Sequence, residues 1–219
     1  MKVSLSVLLI LILAFSFLYS NVFAGAMGWE AEDAIVINLP LQIFEDKNAS
    51  NGKYISTPTS NQGSAEYEFE VPVDSTYFMW ARHLSIDAGR NSYHLVIDDP
   101  KMPGDDSLVW DTILEPQPQK LGEVVDIENK DKYTNDWEWI RVFGRIEAKF
   151  NLLTIRTFTL KKGNHRMYLW GREQDTKVDC FCLTDRFDEQ PVFPKESTRL
   201  AVNLKGKHAT TWGKLKGEQ

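Results

Sequence analysis

Apolar and polar residues alternate over much of this chain, with the period of two that marks half-buried strands. In residues 64–71 (SAEYEFEV), Glu66, Glu68 and Glu70 alternate with Tyr67, Phe69 and Val71. Pro72 and Asp74 close that strand, and residues 76–82 (TYFMWAR) start the next. Residues 92–97 (SYHLVI) predict another, ended by Asp98, Asp99 and Pro100. Strands over 157–160 and 165–171 flank Lys161-Lys162-Gly163-Asn164, which predicts a hairpin with glycine where positive φ costs little. A last strand is predicted over 178–184 (VDCFCLT), and no stretch offers a long amphipathic helix. Many short strands separated by turn signals predict an all-β fold, a two-sheet β-sandwich of the jelly-roll kind.

Three segments depart from this rhythm. Residues 99–134 are rich in Pro, Gly, Asp and Lys and longer than connections usually are, so they read as an insertion, either a functional loop or disorder. From Arg186 to residue 219 the periodicity is lost, and a polar, flexible extension is expected. Surface anchoring through Lys205, Lys207, Lys214 and Lys216 is the alternative there. At the start, Lys2 precedes an apolar stretch over 3–19, and Val22-x-Ala24 and Ala24-x-Ala26 suit a signal peptidase. Residues 1–26 are therefore expected to be a cleaved signal peptide, with an uncleaved membrane anchor as the alternative. The expected location is secreted, periplasmic or cell-surface, with no membrane span after cleavage.

What remains is of one-domain size, and the formal net charge of −6 gives nucleic acid no electrostatic attraction. Cys180 and Cys182 are two apart on a predicted strand, a separation that opposes disulfide geometry. They read as free, buried thiols, and the scattered histidines complete no zinc site. Nucleophile-elbow, zinc-protease and phosphate-loop motifs are absent, so no enzyme is expected. Asp105, Asp106 and Asp111 are the least implausible acids, and a solvated loop accounts for them.

Two constellations carry candidate chemistry. Glu30 and Glu32 point the same way on an extended segment, which suits a hard cation such as Ca²⁺ as well as it suits two solvated carboxylates. Asp179 alternates with Phe181 and Leu183, so it is expected to face inward, where a carboxylate needs a partner. In WEWIRV (137–142), Ile140 and Val142 alternate with Trp137, Trp139 and Arg141. If the aliphatic pair faces the core, both tryptophans lie on the other face, where a flat ring can cover a pyranose. Tyr133 and Trp110 stand beside them on the insertion, while Trp80 and Trp170 are assigned to packing.

Six pieces in order, WEAEDA (29–34), ASNGKYI (49–55), VPVDSTYFMWAR (71–82), NSYHLVIDD (91–99), FTLKKGNHRMYLWGRE (158–173) and GREQDTKVDCFCLT (171–184), resemble the carbohydrate-binding modules of families 6 and 35. The resemblance covers about residues 28–185 and implies a galactose-binding-like jelly roll stapled by calcium. It implies Glu30, Glu32, Asp179 and the carbonyl of Lys53 as metal ligands, and Asn91, Glu173 and Gln174 as polar sugar contacts. One departure is that Gln174-Asp175 stands where the family usually has Asp-Gly, so that loop is expected to be shaped differently. The implied function is exported, non-catalytic binding of a polysaccharide or glycan. The alternative is an envelope or adhesion sandwich that contacts a protein partner and has lost sugar binding.

Overall fold

The computed structural model describes residues 26–102, 109–128, 130–146, 149–188 and 191. The signal segment up to residue 25, Asp105, Asp106 and the four lysines of the C-terminal extension lie outside the described residues. Among the described residues, fifteen strands follow in chain order. They are β1 (Met27–Glu30), β2 (Val36–Asn38), β3 (Gln42–Glu45), β4 (Lys53–Ser56), β5 (Ser64–Val71), β6 (Ser75–Leu84), β7 (Ser92–Ile97) and β8 (Val109–Asp111). After them come β9 (Val125–Asp126), β10 (Glu138–Arg141), β11 (Phe143–Ile146), β12 (Lys149–Ile155), β13 (Thr157–Leu160), β14 (Gly163–Gly171) and β15 (Lys177–Thr184).

They pair into two antiparallel sheets that face each other as a β-sandwich. One runs β10-β6-β15-β4-β3, with β1 added against β15 and β13 against β6. The other runs β2-β5-β14-β7-β8-β11-β12-β9. Register sorts the side chains by face. Trp29, Phe181, Ala81 and Ile140 stand side by side across the first sheet and point inward. The neighbouring row, Glu30, Cys180, Arg82 and Trp139, points outward. Across the core, Trp29 stacks on Phe69 of the second sheet at 5.4 Å and on Phe181 at 5.8 Å. The Tyr67 hydroxyl donates to the Ala31 carbonyl at 2.7 Å, so this buried phenol is satisfied.

Two expectations are corrected here. Strands β13 and β14 sit where the pattern puts them, yet they are not a hairpin: β13 pairs with β6 in one sheet, and β14 pairs with β5 and β7 in the other. The turn with Gly163 (φ 134) carries the chain across the core. The insertion also supplies structure, because β8 extends the second sheet between β7 and β11, and β9 pairs with β12. Trp110 is consequently not a loop residue; it is fully buried against Tyr93, His83 and Phe181. Asp111 is likewise no solvated acid. It is 2% exposed and takes a two-pronged ion pair from Arg145 at 2.7 and 2.9 Å. Cys180 and Cys182 are free, buried and on one face, as expected.

Candidate functional site

The loops 57–62, 85–91, 131–137 and 172–176 meet at one end of the sandwich. Backbone bonds lace them: Asn61 N to Arg172 O at 2.9 Å, Thr134 N to Ser85 O at 2.8 Å, and Asp175 N to Thr57 O at 2.8 Å. Three of the sequence candidates come together there. The Asn91 amide side chain donates to the Tyr133 hydroxyl at 3.2 Å, and Asn91 N donates to Glu173 Oε2 at 2.9 Å. Glu173 Oε1 accepts from Arg172, which also holds Ser92 Oγ. Both carboxylate oxygens of Glu173 are thus committed to shaping the loop. The Tyr133 hydroxyl donates to Asp131, and burial together with that carboxylate holds it protonated far above the ordinary phenol range. Gln174 is exposed on the same loop, and Asp175 adopts φ 57, the left-handed position that a glycine would fill without strain. The absent glycine has therefore not removed that left-handed turn.

The tryptophans separate. Trp137 and Trp139 do share the outward face of the first sheet, but Trp137 is only 9% exposed. Its indole N–H reaches Asp46 at 3.2 Å and its ring lies 5.5 Å from Tyr54. Tyr54 in turn stacks on Phe44 at 5.5 Å, and the Lys177 ammonium lies over the Tyr54 ring at 5.4 Å from its centroid. Burial, then the charges of Asp46 and Asp175, raise the Tyr54 pKa. Tyr54 and Phe44 were missed from the sequence, although Tyr54 sits inside the quoted ASNGKYI piece and alternates with buried Ile55. Trp139 is half-buried beside Arg82. Trp110, enclosed in the core, is closed to any ligand.

Trp170, expected to pack in the core, instead faces outward together with Tyr168. Trp170 and Tyr168 alternate with Leu169, which is fully buried, so both rings face outward from the second sheet and are half-exposed. Their centroids are 5.7 Å apart and their planes differ by 19°. Register sets Glu66 and Val96 beside Tyr168, and Ser64 and His94 beside Trp170. Asn38 on β2 donates to Ser64 Oγ at 2.8 Å, and Arg166 pairs with Glu68 and lies 3.8 Å from Glu66. The result is a stacked two-ring surface bordered by amide, hydroxyl, carboxylate and guanidinium groups.

The carboxylates near the chain start form a third feature. Val178 pairs with His83 and Cys180 with Arg82, so Asp179 is the extra residue of a β-bulge. The bulge turns Asp179 away from Phe181 and Leu183, correcting the alternation argument, and sends its carboxylate toward Glu30. Ligand atoms of Glu30, Asp179 and Cys180 lie within 4.8 Å of one another, a group that does not include Glu32. Ser50 N donates to Asp179 Oδ2, Ser50 Oγ to Glu30 Oε1, and Asn51 Nδ2 to Glu32 Oε1, at 3.0, 3.0 and 2.8 Å. Arg82 is a further partner of Asp179. Asp179 Oδ1 and Glu32 Oε2 are buried and accept no hydrogen bond. Burial raises the Asp179 pKa from 3.8 to about 6 and also raises that of Glu32. Buried oxygens left without donors fit an oxygen-seeking cation, whereas the Cys180 thiol, pushed well up by burial, suits a hard-ion site poorly.

The fold and these surfaces define a β-sandwich with exposed stacked aromatics and a polar loop rim. Its architecture resembles that of solved carbohydrate-binding modules of families 6 and 35 over most of the described chain. The C-terminal family 6 module of a laminarinase from Zobellia galactanivorans aligns with a TM-score of 0.45 at 12% identity, covering 73% of this chain and 98% of that one. A family 35 module from Clostridium thermocellum gives 0.44 at 14% identity, covering 74% and 100%. A family 26 mannanase with a family 35 module from Podospora anserina gives 0.48 at 12% identity, and there 77% of this chain matches only 29% of the other. No family model and no curated protein matches the sequence.

Proposed function

We propose that this chain is an exported, non-catalytic protein that binds a polysaccharide, with the Tyr168–Trp170 platform as its main contact. The observation that carries this reading is the half-exposed, near-parallel stacked ring pair on a largely polar sheet face. Pyranose rings present an apolar face of C–H groups and an equatorial belt of hydroxyls. A flat aromatic covers the first, while Asn38, Ser64, Glu66 and Arg166 are placed to bond the second. Covering about 80 Å² of apolar surface contributes about 2 kcal/mol. The loop rim is the second contact, through Asn91, Tyr133, Gln174 and Trp139, with Glu173 and Trp137 holding it in shape.

Glu30, Glu32, Asp179 and the carbonyl of Lys53 are the residues that would hold a calcium ion. When bound, the ion would supply positive charge to carboxylates that burial disfavours, and so tie β1 and β15 to the loop before β4. Ser50 and Asn51 already orient three of those carboxylates from that loop.

Affinity electrophoresis and calorimetry of the purified chain on a polysaccharide panel test the reading. Binding to at least one neutral polysaccharide, lost in Trp170→Ala, supports it. Binding to none, or binding unaffected by both Trp170→Ala and Trp139→Ala, overturns it.

A further inference from the structure

The Gly163-Asn164-His165 run has no part in the proposed sugar contacts, yet both nitrogens of the His165 imidazole are engaged. Nδ1 lies 2.7 Å from Asp98 Oδ2, and Nε2 lies 2.6 Å from the carbonyl oxygen of Lys161. The side chain is 10% exposed and its ring rests against Phe69 at 5.7 Å. A carbonyl oxygen only accepts, so Nε2 must carry a proton. In a neutral imidazole Nδ1 would then turn a lone pair toward a carboxylate; only the imidazolium donates to both.

Both Asp98 oxygens are placed as acceptors. Its Oδ1 accepts the Arg166 N–H at 2.9 Å, and its side chain is half-exposed. Other charges stand on the elements around the ring: Glu68 and Glu70 on β5, Arg166 on β14, Lys161 and Lys162 in the turn, and Asp74 after β5. Lys161 Nζ and Lys162 N both donate to Asp74, at 2.9 and 2.7 Å, and Arg166 pairs with Glu68. Asp98 is the charge that meets the imidazole.

We infer that His165 is a proton-dependent latch. As imidazolium it makes two ties, one to the turn that crosses between the sheets and one to the residue that follows β7. As neutral imidazole its single proton faces the Asp98 carboxylate, the stronger acceptor, so the tie to the Lys161 carbonyl is the one lost. Asp98 itself, at φ 61, is held by Arg166, whose carbonyl accepts its N–H at 2.8 Å, so the residue to which the imidazole is tied stays fixed.

Long-range ¹H–¹⁵N NMR of the full chain, combined with amide exchange across a pH series, tests this. The expected result is an imidazolium signature at both ring nitrogens in mildly acidic solution. Its loss on raising the pH is accompanied by a roughly tenfold drop in protection of the 162–164 amides, corrected for intrinsic base catalysis. Asp98→Asn, which keeps a residue tolerant of positive φ, moves the loss of that signature to lower pH. A neutral tautomer throughout, or a signature lost with no change in the turn, overturns the inference. The wild-type titration decides by itself, whether or not a variant folds.

Discussion

The indole of Trp170 lies stacked beside the phenol ring of Tyr168, 5.7 Å between centroids, on the outward face of β14 while Leu169 between them is fully buried. Two large rings stacked on each other at a sheet surface have little entropy to lose when a ligand covers them. Trp170→Ala is expected to weaken polysaccharide binding about thirtyfold, the equivalent of about 2 kcal/mol, with an unchanged circular dichroism spectrum. Trp137→Ala should weaken binding less and stability more, because its ring is spent on Tyr54 and its N–H on Asp46.

Asp179 provides a pH test of the carboxylate cluster. Its folded pKa, about 6, lies above the ordinary 3.8, so the group favours folding when protonated, and that stability is lost as pH rises from about 4 to about 6. Buried His83, with its pKa lowered to about 3, acts with the opposite sign as it stays neutral above pH 6.5. The difference in urea midpoint between wild type and Asp179→Asn cancels the His83 contribution. In chelator this difference should fall against the wild type as pH rises through that window. Added calcium should reverse the trend in wild type and leave Asp179→Asn unmoved; a calcium-indifferent melt with no metal by elemental analysis would rule the staple out.

Arg145 and Asp111 are 6% and 3% exposed in their side chains and form one buried pair between β8 and β11. Arg145→Ala should cost about 3–5 kcal/mol, because it strands a buried carboxylate. Replacing both, as Arg145→Met with Asp111→Leu, should recover much of that loss in denaturant melts. Equal losses for the single and double variants would contradict the pairing.

Gly171 ends β14 where the chain passes close to the 57–62 loop. An added Cβ would stand 2.4 Å from the Gln62 carbonyl oxygen and 2.6 Å from Thr57 Cγ2. Gly171→Ala is therefore expected to lose about 1–3 kcal/mol of stability and to loosen the rim it borders, read as a lowered melting temperature. A melt matching wild type would show that the loop yields freely.

Alternation in the sequence located β5, β6, β7, β13, β14 and β15 to within a few residues, because the period of side chains along a strand is a local property. It also put Trp137 and Trp139 on one face, and the quoted pieces named Asn91 and Glu173, which meet at a shared rim where Tyr133 of the insertion joins them. Alternation did not reveal which of two faces is the inner one for Trp170, since Tyr168 and Trp170 are as apolar as the Leu169 that points inward. The β-bulge at Asp179 shifted the alternation there by one residue, an irregularity that depends on the partner strand β6.

What the chain determines by itself is therefore those six strands, the buried thiols outside any disulfide and the proximity of Glu30 to Asp179 that the motif resemblance implied. Tertiary structure decided which sheet each strand joins. It made a crossing of the Lys161–Asn164 turn, enclosed Trp110 and opened Tyr168 and Trp170 to solvent. The reason is physical: strand pairing and the choice of buried face are settled by contacts between residues far apart in sequence, whose partners a local pattern does not contain.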